Sequence, residues 1–111
     1  MTDFQDLTEK ILEFRKSRGW GKQHAPKNMA ISLLLEAAEF LEVFQWTKDN
    51  QIPQGKRKEL EEELVDVLYW VLLIVHDFEI DIPKAFERKM KKNKKKYPLR
   101  RLSTKVFNNN R

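Results

Sequence analysis

Two pairs of acids, Glu36 with Glu39 and Glu63 with Asp66, stand three residues apart in stretches that are otherwise rich in apolar side chains. Residues three apart on a helix are neighbours, so each pair points into one space. In "SLLLEAAEFLEVFQW", residues 32–46, a helical wheel puts Glu36 near the centre of an arc shared with Met29, Ser32, Leu33, Glu39, Phe40, Val43 and Phe44. The second pair lies on a stripe with Leu60, Val67, Trp70 and Ile74. Burying a charge without a partner is costly, and four carboxylates brought together repel one another. Protonation relieves this, because a like charge nearby raises a carboxyl pKa. A hard divalent cation relieves it too, and Mg²⁺ favours oxygen ligands in octahedral geometry while keeping several waters. Carboxylates facing one another across a helix bundle are a recurring way to build such a site. The di-iron version of that site uses E-x-x-H, which occurs nowhere in the chain; His24 and His76 both lie elsewhere. The bland alternative is surface charge. "KRKELEEELVD" holds five acids, of which Glu59, Glu61 and Glu62 read as solvent-facing.

Positioning these acids requires helices. Phe4, Leu7, Ile11 and Phe14 recur at helical spacing and predict a first amphipathic helix over residues 3–18. "RGWGKQHAPKN", with two glycines and a proline, breaks it into a loop. A second helix is expected from about Asn28 to Thr47, ended by "KDNQIPQG", and a third from near Gly55 to about Phe78. In "EIDIPKAF" Asp81 suits a cap and Pro83 a first turn. The fourth helix then runs to about Lys96 and stops before Pro98. Short connections favour antiparallel neighbours, so the expected fold is all-α, an antiparallel four-helix bundle.

The chain's 111 residues suffice for one domain with a core and are too few for two. The absence of cysteine excludes a disulfide framework and a thiolate metal site, and fits a reducing cytoplasm. "MTDFQDLTEK" does not read as a secretory leader. The longest apolar run, "VLYWVLLIV" at residues 67–75, falls short of the roughly 20 residues that span a bilayer. It reads as a helix segment buried on every side. The net charge of +5 is unevenly spread: from Lys84 onward 12 basic residues face one acid, Glu87, whereas residues 1–83 carry 10 basic and 16 acidic residues. An acidic body thus carries a basic arm. Residues 99–111 read as a basic, partly disordered tail beyond a domain at residues 1–98. From Ala30 to Trp46 only Ser32, Glu36, Glu39, Glu42 and Gln45 are polar. One stripe of a bundle helix is normally covered and the other wet, so a helix this apolar needs a second cover. In a chain this small the cover must come from another subunit, and a homo-oligomer is expected.

"HAPKNMAISLLLEAAEFLEVFQW", "ELVDVLYW" and "KMKKNKKKYP" together resemble the MazG-like all-α nucleotide pyrophosphohydrolases, above all their dCTP pyrophosphatase branch. The family's mark, E-x-x-E, a variable spacer and E-x-x-D, is matched by Glu36, Glu39, Glu63 and Asp66 with 23 residues intervening. The likeness runs from about residue 4 to residue 98. It implies Mg²⁺, with Mn²⁺ as a substitute, on these four acids, and hydrolysis of a nucleoside triphosphate to the monophosphate and pyrophosphate. It also implies a tetramer and a house-cleaning role on dCTP or related nucleotides. Metal ions neutralise charge on phosphoryl oxygens and help make a nucleophilic water. One acid serves as general base, with Glu39 the favoured choice.

By the same resemblance Trp20, His24, Trp46 and Trp70 contact substrate, the aromatic rings sandwiching the base. Stacking of this kind is worth roughly 1–3 kcal/mol per base in single-strand binding proteins. Core packing is the competing reading for Trp46 and Trp70, and a backbone-bonded loop residue is that for His24. His76 is given no role. Trp70 stands where the animal branch usually has Tyr, and Ile11 where some relatives place a His. These departures bear on base preference and leave the metal acids untouched. On the basic arm, Lys89, Asn93, Lys96 and Tyr97 are expected near the triphosphate. The other lysines read as a solvated helix end, favourable to the helix dipole. A rival from another class is a helical nucleic-acid-binding or assembly protein using this arm, since such affinity is largely electrostatic. Phosphoribosyl-ATP pyrophosphatase shares the expected fold, but the aromatic positions favour a base clamp.

Overall fold

The computed structural model describes residues 3–20 and 24–99. Four α-helices follow in order: α1 (Phe4–Ser17), α2 (Pro26–Glu42), α3 (Arg57–Asp77) and α4 (Ile82–Lys96), with no strand among the described residues. The all-α expectation holds. No helix among the described residues is long and apolar enough to cross a membrane. The expected tail beyond Leu99 lies outside the described residues.

Contacts divide the chain into two compact units, Met1–Glu79 and Ile80–Arg111. In the first, α2 and α1 both pack on α3. Met29, Val43, Leu72 and Leu73 form the buried apolar core, with Met29 and Leu73 fully enclosed, and Pro53 is buried as well. Within 67–75 only Leu72 and Leu73 are buried and the rest are half-buried, so the expectation of a run enclosed on every side does not hold.

Local chemistry explains the boundaries. The Asp3 carboxylate accepts the Asp6 N–H at 2.9 Å and caps α1. At the other end Gly19, at φ +73°, takes the left-handed conformation open to glycine. There the Gly19 N–H bonds the Lys16 carbonyl at 3.0 Å and the Trp20 N–H bonds the Arg15 carbonyl at 3.1 Å. This is a Schellman ending. Its usual apolar contact is made by Trp20 against Phe14, ring centroids 5.7 Å apart. The α2 helix starts earlier than expected because Pro26 sits in the first turn, where its missing N–H costs nothing. It also ends earlier: after Glu42 the chain tightens into turns closed by Phe44 N–H to Leu41 and Gln45 N–H to Glu42. Trp46 therefore falls outside the helix.

One ion pair joins α1 to α3. Arg15 Nη1 and Nη2 meet Asp77 Oδ2 and Oδ1 at 2.7 and 3.0 Å, a two-pronged fork. Arg15 is buried, and its hydrogen bonds hold the Asp77 carboxyl below its ordinary pKa. His76, left without a role by sequence, has Nδ1 3.0 Å from Asp77 Oδ1.

In the second unit, the Asp81 carboxylate accepts the Lys84 N–H at 3.1 Å and caps α4, with Pro83 in the first turn as expected. Lys94, Lys95 and Lys96 occupy the last turn, where cations favour the helix dipole.

Candidate metal and nucleotide site

Glu36 lies on the buried side of α2, between Met29 and Val43 on the wheel, and is half-buried itself. Glu39, three residues on, is exposed; Glu63 of α3 is half-buried. Packing of α2 on α3 brings one carboxylate oxygen from each of Glu36, Glu39 and Glu63 within 4.8 Å of the others. Asp66 is exposed and does not complete that cluster, although its charge acts on both Glu36 and Glu63. Desolvation, then repulsion from Glu39 and Asp66, pushes the carboxyl pKa of Glu36 and of Glu63 up. Glu63 Oε1 is buried and has no hydrogen-bond partner among the described residues. Buried polar atoms are normally satisfied, and a bare carboxylate oxygen among three like charges is what a hard cation satisfies. The donor set is all oxygen, which suits Mg²⁺ or Mn²⁺ and not a soft metal.

A cavity of about 900 Å³ opens beside the acids, and Glu36 and Asp66 form part of its lining. Trp20, His24 and Trp70 also line it, so three of the four aromatic positions singled out in the sequence share one space with two of the acids. The ring centroids of His24 and Trp70 are 5.3 Å apart and nearly edge-on. His24 Nδ1 is buried and meets no hydrogen-bond partner among the described residues. Trp70 is half-buried, at the rim of the core instead of within it.

Trp46 is placed differently. It is 87% exposed and flanks a smaller recess with Val43, Ile52 and Pro53, away from the aromatic cavity. Lys89, Asn93, Lys96 and Tyr97 lie on α4 and its cap in the second unit. There the Tyr97 N–H bonds the Asn93 carbonyl at 2.8 Å, and the Lys96 ammonium lies 5.5 Å from the Tyr97 ring centre.

Several lining residues escape sequence reasoning. Leu7 and Phe14, from a stripe that reads as core, form one wall of the cavity with Lys10, beside Ile11, the position the sequence tied to base preference. Tyr69 forms part of the opposite wall, beside Trp70 at 5.3 Å between centroids. Burial pushes the Tyr69 pKa up, against the opposing pull of Arg15. The signal for Trp20 was present: "RGW" at a helix end encodes the glycine-closed turn that seats the indole on Phe14.

Comparison with known proteins adds to this geometry. Residues 31–105 match the MazG-like family. The chain is 35% identical over 99 residues to dCTP pyrophosphatase 1 of Homo sapiens, covering 85% of this chain and 58% of that protein. It is 33% identical over 100 residues to the Mus musculus protein of the same name, covering 86% and 59%. The chain therefore spans less than two thirds of the length of these curated relatives. A solved pyrophosphatase from Archaeoglobus fulgidus is 42% identical with a TM-score of 0.79, covering 89% of this chain and 95% of that one. The matched stretch carries all four acids, most of α2 and all of α3, and the chain belongs to the MazG-like family.

Proposed function

We propose that the chain is a Mg²⁺-dependent nucleoside triphosphate pyrophosphohydrolase of the dCTP pyrophosphatase branch. It would convert dCTP or a related nucleotide and water to the monophosphate and pyrophosphate, as cytoplasmic house-cleaning of the nucleotide pool. The observation that carries this reading is the double membership of Glu36. The same side chain belongs to the carboxylate cluster and to the lining of the aromatic cavity. A base held among Trp20, His24 and Trp70 thus has its phosphates directed to the acids. The names of the relatives, dCTP pyrophosphatase 1, support the substrate class.

In this reading Glu36, Glu39, Glu63 and Asp66 hold the metal. When bound there, the ion would neutralise charge on the phosphoryl oxygens and lower the pKa of a water. The exposed Glu39 takes the proton of the attacking water as its oxygen approaches the α-phosphorus. The buried His24 Nδ1, without a hydrogen-bond partner among the described residues, would meet the polar edge of the base. Trp46, Lys89, Asn93, Lys96 and Tyr97 join the substrate contacts by family likeness. Assembly as a homotetramer covers the apolar face of α2 on which Leu34 and Leu41 stand 68% and 69% exposed.

The test is direct. With dCTP and Mg²⁺ the protein should release pyrophosphate, and Glu63→Ala should lower the rate by at least about 100-fold while the helical circular dichroism persists. Absence of pyrophosphate from every common nucleotide, with salt-sensitive binding of duplex DNA, would favour a nucleic-acid-binding role for the basic arm instead.

A further inference from the structure

We propose that the Arg15–Asp77 ion pair is a positioning pair that sets the width of the aromatic cavity and hence its grip on a nucleobase. The proposal rests on the reading of that cavity as the base site. Arg15 is the one buried residue of α1. The apolar stripe of that helix is half-buried or exposed, because Ile11 and Phe14 line open space instead of a core. Side chains that must leave a cavity open cannot also lock their helix onto its neighbour. The lock is therefore polar. The guanidinium of Arg15 forks onto both oxygens of Asp77, at 2.7 and 3.0 Å, across 62 residues of sequence. A fork of this kind fixes orientation as well as distance.

Both arms of the lock lead into the cavity. On α1, Phe14 is the residue next to Arg15; on α3, Tyr69 and Leu72 precede Asp77 by two turns and by little more than one. The rings of Phe14 and Tyr69 approach to 6.4 Å between centroids across the two helices. The backbone of Arg15 does a second task, since its carbonyl accepts the Trp20 N–H at 3.1 Å. One residue thus ties α1 to α3 by its side chain and Trp20 to α1 by its main chain. The pair is only partly buried, and ion pairs are a poor source of stability compared with apolar packing. Its value here is geometric.

A purely structural pair would alter stability alone, so the experiment separates the two. Arg15→Lys, Asp77→Asn and the exchange of Arg15→Asp with Asp77→Arg are compared with the parent well below their melting temperatures. Binding of dCMP in EDTA, followed by tryptophan fluorescence, reads the cavity without metal or turnover. The expected result is a loss of about tenfold in dCMP affinity and a matching rise in KM for Arg15→Lys and Asp77→Asn, with kcat changed by less than about twofold. Preference among bases should flatten, and the exchanged pair should recover part of the affinity. Unchanged dCMP affinity in variants whose melting temperature has fallen would overturn the proposal. If the parent binds dCMP but cleaves no triphosphate, the enzymatic reading fails while the positioning role is still decided by the binding series. Should Asp77→Asn not fold, Arg15→Lys keeps the charge, loses the fork, and decides alone.

Discussion

Glu63 concentrates the electrostatic problem of the site in one side chain. Its Oε1 is enclosed and unpartnered, and Glu36 and Glu39 each place an oxygen within 4.8 Å of its carboxylate. The folded state therefore holds the proton of Glu63 more tightly than the unfolded chain does. A carboxyl raised in this way weakens folding as pH climbs from the ordinary carboxylate pKa through the raised one, because ionisation then costs more in the folded state. In EDTA the melting temperature should fall across that interval and recover on adding Mg²⁺. Glu63→Gln should flatten the fall, raise the melting temperature at neutral pH without metal, and abolish the gain from Mg²⁺. Thermal unfolding with and without EDTA checks all three. A variant less stable than the parent in EDTA at neutral pH would mean that repulsion is not the governing force. The pairing of Glu36 with Glu39 was legible in the sequence from their apolar surroundings. The weaker attachment of Asp66 was not, because spacing on a wheel gives direction around an axis and says nothing of how far the side chain reaches.

At the scale of elements, the end of α1 matters most. The turn at Gly19, φ +73°, delivers Trp20 to Phe14 and so to the cavity. A Cβ added there meets no neighbour within 4 Å among the described residues, so the penalty is conformational. Gly19→Ala should cost roughly 1–2 kcal/mol of stability through the left-handed backbone and should raise KM by loosening Trp20, with kcat little affected. Denaturant unfolding together with steady-state kinetics on dCTP measures both; an unaltered KM would detach Trp20 from substrate binding. The four helices were readable from periodicity, proline and capping residues, since each of these acts locally. The limits of α2 were less so. Its apolar pattern continues to Trp46, yet the helix stops at Glu42, because the chain must turn back toward α3 and tertiary geometry overrides local pattern. The stripe of Leu7, Ile11 and Phe14 likewise looks the same whether it faces a core or a cavity. Periodicity reports that a face avoids water, not what fills the space opposite.

At the scale of the molecule, the described residues bury few apolar side chains and leave many in water. Met29, Val43, Leu72 and Leu73 are buried, while Ile31, Leu34, Leu35 and Leu41 of α2 are 45%, 68%, 55% and 69% exposed. These four share one arc of the helix, on the opposite side from Met29 and Val43. An exposed apolar face of this kind, interrupted here by Glu42, is what the proposed homo-oligomer would cover. Glu36 lies on the covered side of α2, away from Leu34, so a charge placed at Leu34 tests the proposed assembly apart from the proposed metal site. Leu34→Glu puts a carboxylate at the middle of the exposed arc, where a fold held together within one chain would tolerate it and a buried interface would not. Sedimentation velocity at micromolar concentration should show the parent as an oligomer, a tetramer on the family reading, and Leu34→Glu as a smaller species with its α-helical signal retained. A parent chain that sediments as a monomer would contradict the cover argument, and the exposed leucines of α2 would then call for a different partner.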